Sequence, residues 1–286
     1  MSIDDKSLVT ERPVWLITGC SSGFGHELAK QVLGLGYRTV VTARNPGRLG
    51  ALAALGHSLV LKLDVTDPAQ VAAAVASAET HFGRIDVLVN NAGIGYFAAI
   101  EEGEDDAVRR LFEINVFGLT HMIKAVLPGM RKRRSGFIVN LSSLAGLRSF
   151  PALGYYNASK YAVEGLSEAL WQEVEPLGIK VMLVEPSGFR TDWAGRSADE
   201  SPRHIADYAA TAGVSRSRLR ADSGHQPGDP VLAARDIIQA TESKQPPHRL
   251  LLGNDAYDGA VGKLEQLRTE FQQEEAVARA ADHAQV

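Results

Sequence analysis

One cysteine, Cys20, stands in the 286 residues. A lone thiol has no partner, so an internal disulfide is excluded and a reducing compartment suits the chain. Cys20 reads as a small packing residue. No run of 18 apolar residues occurs, so no transmembrane helix is expected. The stretch Met1 to Arg12 carries Asp4, Asp5, Lys6, Glu11 and Arg12 and lacks the apolar centre of a signal peptide. A soluble cytoplasmic protein is the expectation. Neither sign of charge dominates: 30 basic against 34 acidic side chains leave −4. That balance offers nucleic acid no electrostatic footprint. The single basic run, Arg131-Lys132-Arg133-Arg134, precedes an apolar segment and reads as a solvated helix end, where cations complement the helix dipole. His26, His204 and His225 are scattered outside any ligand-like cluster, so no metal site is expected.

What is present is an alternation. Apolar runs at Val14–Thr18, Arg38–Ala43, Ser58–Leu63, Ile85–Asn90, Gly136–Leu141, Ile179–Val184 and Leu250–Leu252 read as strands. Between them, Gly23–Leu35, Pro68–Phe82, Asp105–Arg131 and Tyr155–Val174 space their apolar residues as helices do. Strands apolar on both faces belong to a parallel sheet covered on each side. The expectation is one α/β, doubly wound (Rossmann-like) domain with helices on both faces. Ser187 to Pro230 is polar and too long for an ordinary connection, which marks a lid over a ligand. The tail Gly262–Val286 is helical in composition.

Thr18-Gly19-Cys20-Ser21-Ser22-Gly23-Phe24-Gly25 lies where the first strand turns into the first helix. Glycine lets the backbone approach a pyrophosphate, and helix N-terminal amides face the anion. Ser21 and Ser22 add hydroxyl donors. An NAD site usually ends the second strand with an acid for the ribose hydroxyls. Here Val41-Thr42-Ala43-Arg44-Asn45 has none, and the Arg44 guanidinium suits a 2′-phosphate. NADP(H) is therefore expected ahead of NAD(H). Asp64-Val65, ending the third strand, reads as an adenine contact. Asn90-Asn91-Ala92-Gly93, ending the fourth, lets a flat cofactor approach the sheet edge.

Tyr156 and Lys160 are four residues apart on a predicted helix, hence on one face. A phenol near pKa 10 exchanges protons poorly at neutrality, and a neighbouring ammonium lowers that value. Ser143, thirteen residues before Tyr156, follows an apolar strand and could polarise a carbonyl oxygen. Asn115 interrupts an apolar helical stretch, where a buried amide must find partners. It is expected to distort that helix and hold a water leading to Lys160.

Taken in order, Thr18-Gly19…Gly23-Phe24-Gly25, Asp64, Asn90-Asn91-Ala92-Gly93, Asn115, Ser143, Tyr156, Lys160 and Pro186-Ser187-Gly188…Thr191 resemble the short-chain dehydrogenase/reductase family along nearly the whole chain. The resemblance implies a seven-stranded parallel sheet and a Ser–Tyr–Lys–Asn site. In it Tyr156 exchanges the proton, Ser143 positions the substrate oxygen, Lys160 holds the nicotinamide ribose and tunes Tyr156, and Asn115 anchors a relay water. Pro186, Gly188, Phe189 and Thr191 would meet the nicotinamide carboxamide and pyrophosphate; the family commonly has glycine where Ser187 stands. Thr18-Gly19-Cys20-Ser21-Ser22-Gly23, Glu185-Pro186-Ser187-Gly188-Phe189-Arg190-Thr191 and Leu252-Gly253-Asn254-Asp255-Ala256 are most similar to the 17β-hydroxysteroid dehydrogenase-like and retinol dehydrogenase-like branch.

The loops expected beside Ser143 and Tyr156 supply Tyr96, Phe97, Leu147, Phe150, Leu153, Phe189 and Trp193, an apolar set suited to a medium-sized ketone or secondary alcohol. Two other readings compete. One is a catalytically inactive NADP(H)-binding sensor or scaffold; the other is dehydratase or epimerase chemistry through a transient ketone. The resemblance also implies a homodimer or homotetramer, paired through the long helices at 105–131 and 155–174.

Overall fold

The computed structural model describes residues 12–283. The readings made on residues 1–11 and 284–286 lie outside the described residues. The strands are β1 (Val14–Ile17), β2 (Arg38–Ala43), β3 (Ser58–Lys62), β4 (Val87–Asn90), β5 (Gly95–Phe97), β6 (Gly136–Leu141), β7 (Ile179–Pro186), β8 (Ala198–Glu200) and β9 (Arg249–Leu252). The helices are α1 (Gly23–Gly34), α2 (Gly50–Ala53), α3 (Pro68–Phe82), α4 (Asp105–Phe112), α5 (Leu119–Arg133), α6 (Gly154–Val174), α7 (Val214–Ala221), α8 (Pro230–Glu242), α9 (Asn254–Gln273) and α10 (Glu275–Ala280).

Seven strands form one parallel sheet in the order β3-β2-β1-β4-β6-β7-β9. Alternate residues of each strand enter opposite layers. In β1, Trp15 and Ile17 pack with Val41, Val139 and Val184 beneath α1 and α8, whereas Leu16 joins Val40, Leu88 and Ile138 beneath α3, α5 and α6. Both faces are dry, which is why the strands show no polar alternation. Each large side chain so buried contributes roughly 1.5–3 kcal/mol. Local signals set the helix ends. Asp67 accepts from Ala69 N (2.9 Å) and Gln70 N (3.2 Å), Pro68 opens α3, and Gly83, at φ 83°, closes it.

The strand order reverses between β1 and β4, so their carboxyl ends diverge and leave a crevice. Every connection that enters this crevice leaves a strand at its carboxyl end, and that is where the site residues collect.

Two departures of the fold from the sequence reading bear on the site. The expected single helix at 105–131 is α4 and α5 joined through a π-helical segment, Glu113–Gly118, and it runs on to Arg133. The region 187–230 carries order that its polar composition hid. Within it β8 pairs in parallel with β5, and α7 follows. Its arginines are fasteners: Arg216 binds Glu102 (3.0 Å) and Glu200 (3.1 Å), and Arg220 binds Glu200 (3.1 Å). The basic run does end a helix. Arg134 adopts φ 55° there and its guanidinium donates to Pro176 O (2.6 Å). Among the described residues no helix is long and apolar enough to cross a membrane.

Candidate active site

The loop after β1 is built for close approach. Gly19 (φ 71°) and Gly23 (φ 61°) occupy the left-handed region, and a Cβ on Gly19 would stand 3.0 Å from Ala92 Cα. Thr18 Oγ1 accepts from Asn91 N and Ala92 N, both at 3.0 Å, and Asn91 Nδ2 donates to Thr18 O (2.8 Å) and Gly19 O (3.1 Å). The β1 and β4 loops are thereby stitched together. Gly25 serves this seam and does not line the cavity; a Cβ there would fall 2.3 Å from Asn91 Nδ2. Ser22 caps α1 without spending its hydroxyl on the helix, so hydroxyl and N-terminal amides stay open.

From this loop a cavity of about 1230 Å³ extends along the carboxyl ends of the strands. Gly19, Ser21, Ser22, Gly23 and Phe24 line it, followed by Arg44, Asp64 and Val65, then Asn91, Ala92 and Gly93. Pro186, Ser187, Gly188, Phe189 and Thr191 form the wall opposite, where Phe189 rests on Phe24 with ring centres 5.1 Å apart. Ser187 turns its hydroxyl toward Leu252 O (3.4 Å), beside Gly253. A loop of open amides with no room for side chains fits a dinucleotide pyrophosphate. Sequence reasoning missed Arg48, which reaches the same wall as Arg44. Asn45 caps the turn Pro46–Leu49 by accepting from Gly47 N (3.1 Å), and that turn folds Arg48 back beside Arg44.

The far end of the cavity holds Ser143, Tyr156 and Lys160. Ser143 Oγ accepts from Ala145 N (3.1 Å) and donates to Pro186 O (3.3 Å), which fixes it at the end of β6. The Lys160 ammonium donates to Leu141 O (2.7 Å) and lies 5.7 Å from the Tyr156 ring centre. Burial lowers the Lys160 pKa to about 8, with the Glu164 charge opposing. Burial also pushes the Tyr156 phenol above its ordinary value, and the Ser143 hydroxyl pulls the other way. Desolvation of the phenolate thus works against the lowering expected from Lys160.

Asn115 sits in the π-helical segment, as its expected distortion of the helix requires. The partners of its amide are protein groups. Oδ1 accepts from Ile94 N (2.9 Å), and Nδ2 donates to Ile94 O (3.0 Å) and Ser159 Oγ (3.1 Å). Both N–H groups are spent, leaving one lone pair on Oδ1 for the expected relay water. Ser159 was also missed; its hydroxyl donates to Tyr156 O (2.8 Å) and ties the π segment to the catalytic helix.

Phe150, Leu153, Leu144, Ala145, Trp193 and Leu219 face the cavity around Tyr156, and Trp193 packs on the Tyr156 ring at 4.8 Å. Three expected substrate contacts do not. Tyr96 is 2% exposed and its hydroxyl accepts from Glu104 N (3.0 Å). Phe97 is buried under Trp193. Leu147 stands off the cavity wall, its carbonyl accepting from Tyr161 (2.8 Å). The reason is β5: pairing with β8 draws Tyr96 and Phe97 into a small core of their own.

Comparison with known proteins agrees with this geometry. The short chain dehydrogenase family model matches residues 13–202. An oxidoreductase, BOA17, of Botryotinia fuckeliana is 42% identical over 250 residues, 86% of this chain and 91% of its own. A 3-ketodihydrosphingosine reductase of Bacteroides thetaiotaomicron is 39% identical over 240 residues, covering 83% and 87%. Among solved structures, a short-chain dehydrogenase of Streptomyces avermitilis superposes with a TM-score of 0.88 at 41% identity, over 94% of this chain and all of that one. Two at 26% identity were solved with cofactor: a Burkholderia phymatum member with NAD (TM-score 0.77, covering 97% and 99%) and ElxO with NADP (0.72, covering 86% and 99%). A cavity that admits a dinucleotide at one end and places a serine, a tyrosine and a lysine at the other has its explanation in this kinship: the chain belongs to the short chain dehydrogenase family, as an oxidoreductase working on a carbonyl/alcohol pair with a nicotinamide cofactor.

Proposed function

We propose that the chain is an NADPH-dependent reductase of a medium-sized, largely apolar ketone or aldehyde, with Tyr156 as proton donor. The observation that carries this reading is the place of Tyr156: buried, beside Ser143 and Lys160 at the end of the cavity, and walled by Phe150, Leu153 and Trp193. When bound, the nicotinamide supplies the hydride. The protein's residues do the rest. The Ser143 hydroxyl, turned from Pro186 O to substrate, and the Tyr156 hydroxyl hold the carbonyl oxygen, and the phenol gives its proton as negative charge develops there. The Lys160 ammonium favours the transient phenolate. Asn115 holds the π segment against the catalytic helix and keeps one lone pair for water.

The preference for NADP(H) is supported by two guanidinium groups, Arg44 and Arg48, on a wall without an acid at the end of β2. The steroid- or retinoid-like branch remains a reading of the sequence motifs. The relatives' names favour a different first choice: the 3-ketodihydrosphingosine reductase makes long-chain ketones the leading substrate class.

A panel of ketosphingoid, steroid, retinoid and small sugar carbonyls, followed by NADPH oxidation at 340 nm, tests this. Turnover of long-chain or polycyclic ketones is expected, with deuterium from labelled NADPH ending on the carbinol carbon. Turnover confined to small charged sugars would remove the apolar-substrate reading. Unlabelled product would point to dehydratase or epimerase chemistry, and a chain that binds NADPH but reduces nothing would be the sensor.

A further inference from the structure

Behind Lys160 lies a buried charged group that the scheme above does not use. Glu164 follows Lys160 by one turn on α6, Glu185 stands in β7, and Arg249 begins β9. Arg249 Nη1 donates to Glu185 Oε1 (2.7 Å) and to Glu164 Oε2, while Nη2 donates to Glu168 Oε2 (3.0 Å). Ser142 donates its hydroxyl to Glu164 Oε1. Glu185 is 0% exposed and Glu164 6%. Two buried carboxylates against one shared guanidinium would leave unbalanced charge in a dry site.

One oxygen shows how the balance is met. Glu185 Oε2 is buried and has no hydrogen-bond partner among the described residues. It belongs to a carboxyl that burial, and then the neighbouring Glu164 charge, push up to about 7. A proton on Glu185 donated to Glu164 satisfies the orphan oxygen and removes one of the two negative charges. Glu164 then carries the charge, with Ser142, Arg249 and Glu185 as donors opposing the upward push of burial. The groups that face it are Lys160 and Glu168 from α6, Ser142 from the end of β6, Glu185 from β7 and Arg249 from β9. The turn carrying Ser143 is pressed on the same spot: a Cβ on Gly146 would stand 2.7 Å from Ser142 Oγ and 3.1 Å from Glu164 Oε1.

We propose that Glu164 is a positioning residue for the reductase reaction proposed above: pinned by Arg249 and Ser142, it fixes the Ser142–Gly146 turn that presents Ser143 and supplies the negative charge that keeps Lys160 an ammonium. Residues four apart on a helix have Cβ atoms about 5–6 Å apart, a range in which opposite charge favours the ionised lysine. Burial works against that ammonium, and Glu164 is the group that opposes burial.

The test reads Lys160 directly. Trace acetylation of the full chain with acetic anhydride across pH, quantified on the Lys160 peptide by mass spectrometry, gives its titration midpoint without turnover. Glu164→Gln is expected to lower the midpoint by about one pH unit. The alkaline limb of kcat should move by the same amount, with a smaller change in KM. An unmoved midpoint in folded Glu164→Gln overturns the proposal. Glu185→Gln guards against a Glu164 variant that does not fold. Its amide donates to Glu164 as the acid did, so the Lys160 midpoint should stay; a fall there overturns the proposal. A Lys160 shift in a chain that reduces no carbonyl keeps the role of Glu164 and removes the reductase reading. Normal turnover with an unmoved midpoint does the reverse.

Discussion

Tyr156→Phe isolates the hydroxyl. The ring keeps its contact with Trp193 while the proton donor is lost. Turnover should fall about 10²–10⁴-fold. NADPH affinity by fluorescence and the melting temperature should hold. Lys160 gives the pH dependence. With its pKa lowered to about 8, the ammonium is lost as pH rises through that value, so kcat should decline above about pH 8. Lys160→Arg keeps a charge that does not titrate in the working range and should abolish that limb in whatever activity remains. Stability moves in the opposite direction. The unfolded lysine titrates near 10.4, so the cost of burying an ammonium is fully present below about 8 and is relieved between about 8 and 10.4. Arg44→Ala and Arg48→Ala should each raise the KM for NADPH while leaving that for NADH nearly unchanged, and equal effects on both cofactors would end the 2′-phosphate reading. Arg44 was legible because it follows the strand where an acid is usual. Arg48 was not, because only the turn shows where it points.

Gly25→Ala tests the seam between elements. Its Cβ would collide with Asn91 Nδ2 and stand 2.6 Å from Gly19 O, so the β1 and β4 loops must part. NADPH affinity measured by titration should weaken at least about tenfold, since each 1.4 kcal/mol of lost fit is a decade. Asn115 shows how far an element can be read in advance. A polar residue in an apolar helix announced a distortion. Its π form depends on Ile94 and Ser159, which lie far along the chain or on another helix. The seven strands of the main sheet were legible to within two residues at each end, because a buried parallel strand needs an unbroken apolar run. Tyr96 and Phe97 were misplaced for the converse reason: nothing local reveals that Gly95–Phe97 pairs with Ala198–Glu200, about a hundred residues on.

Across the whole molecule, the region 187–230 is held by charge. Arg216 is buried between Glu102 and Glu200 and reaches both the loop after β5 and β8. Glu102→Ala would leave that guanidinium without its most buried partner. Breaking a buried pair in this way costs about 3–5 kcal/mol. Chemical denaturation should register that loss, and limited proteolysis should cut first within 187–230. Assembly is a separate expectation. Phe117, Tyr161 and Leu166 are 49%, 41% and 42% exposed along the helices expected to pair. Light scattering should give a dimer or tetramer for the natural chain and a smaller species for Phe117→Asp.

The order of strands and helices, the parallel sheet, the glycine loop and the Tyr156–Lys160 pair were determined by the sequence itself, because each follows from periodicity or spacing within one or two elements. Three things only the tertiary structure decided. It buried the Tyr156 phenol, which works against the lowering expected from Lys160. It converted the arginines of a polar stretch into the fasteners of the cavity wall. It brought Glu164, Glu185 and Arg249 from three elements onto one shared charge. In each case the free energy belongs to groups remote in the chain, and it arises only when folding has removed the water between them.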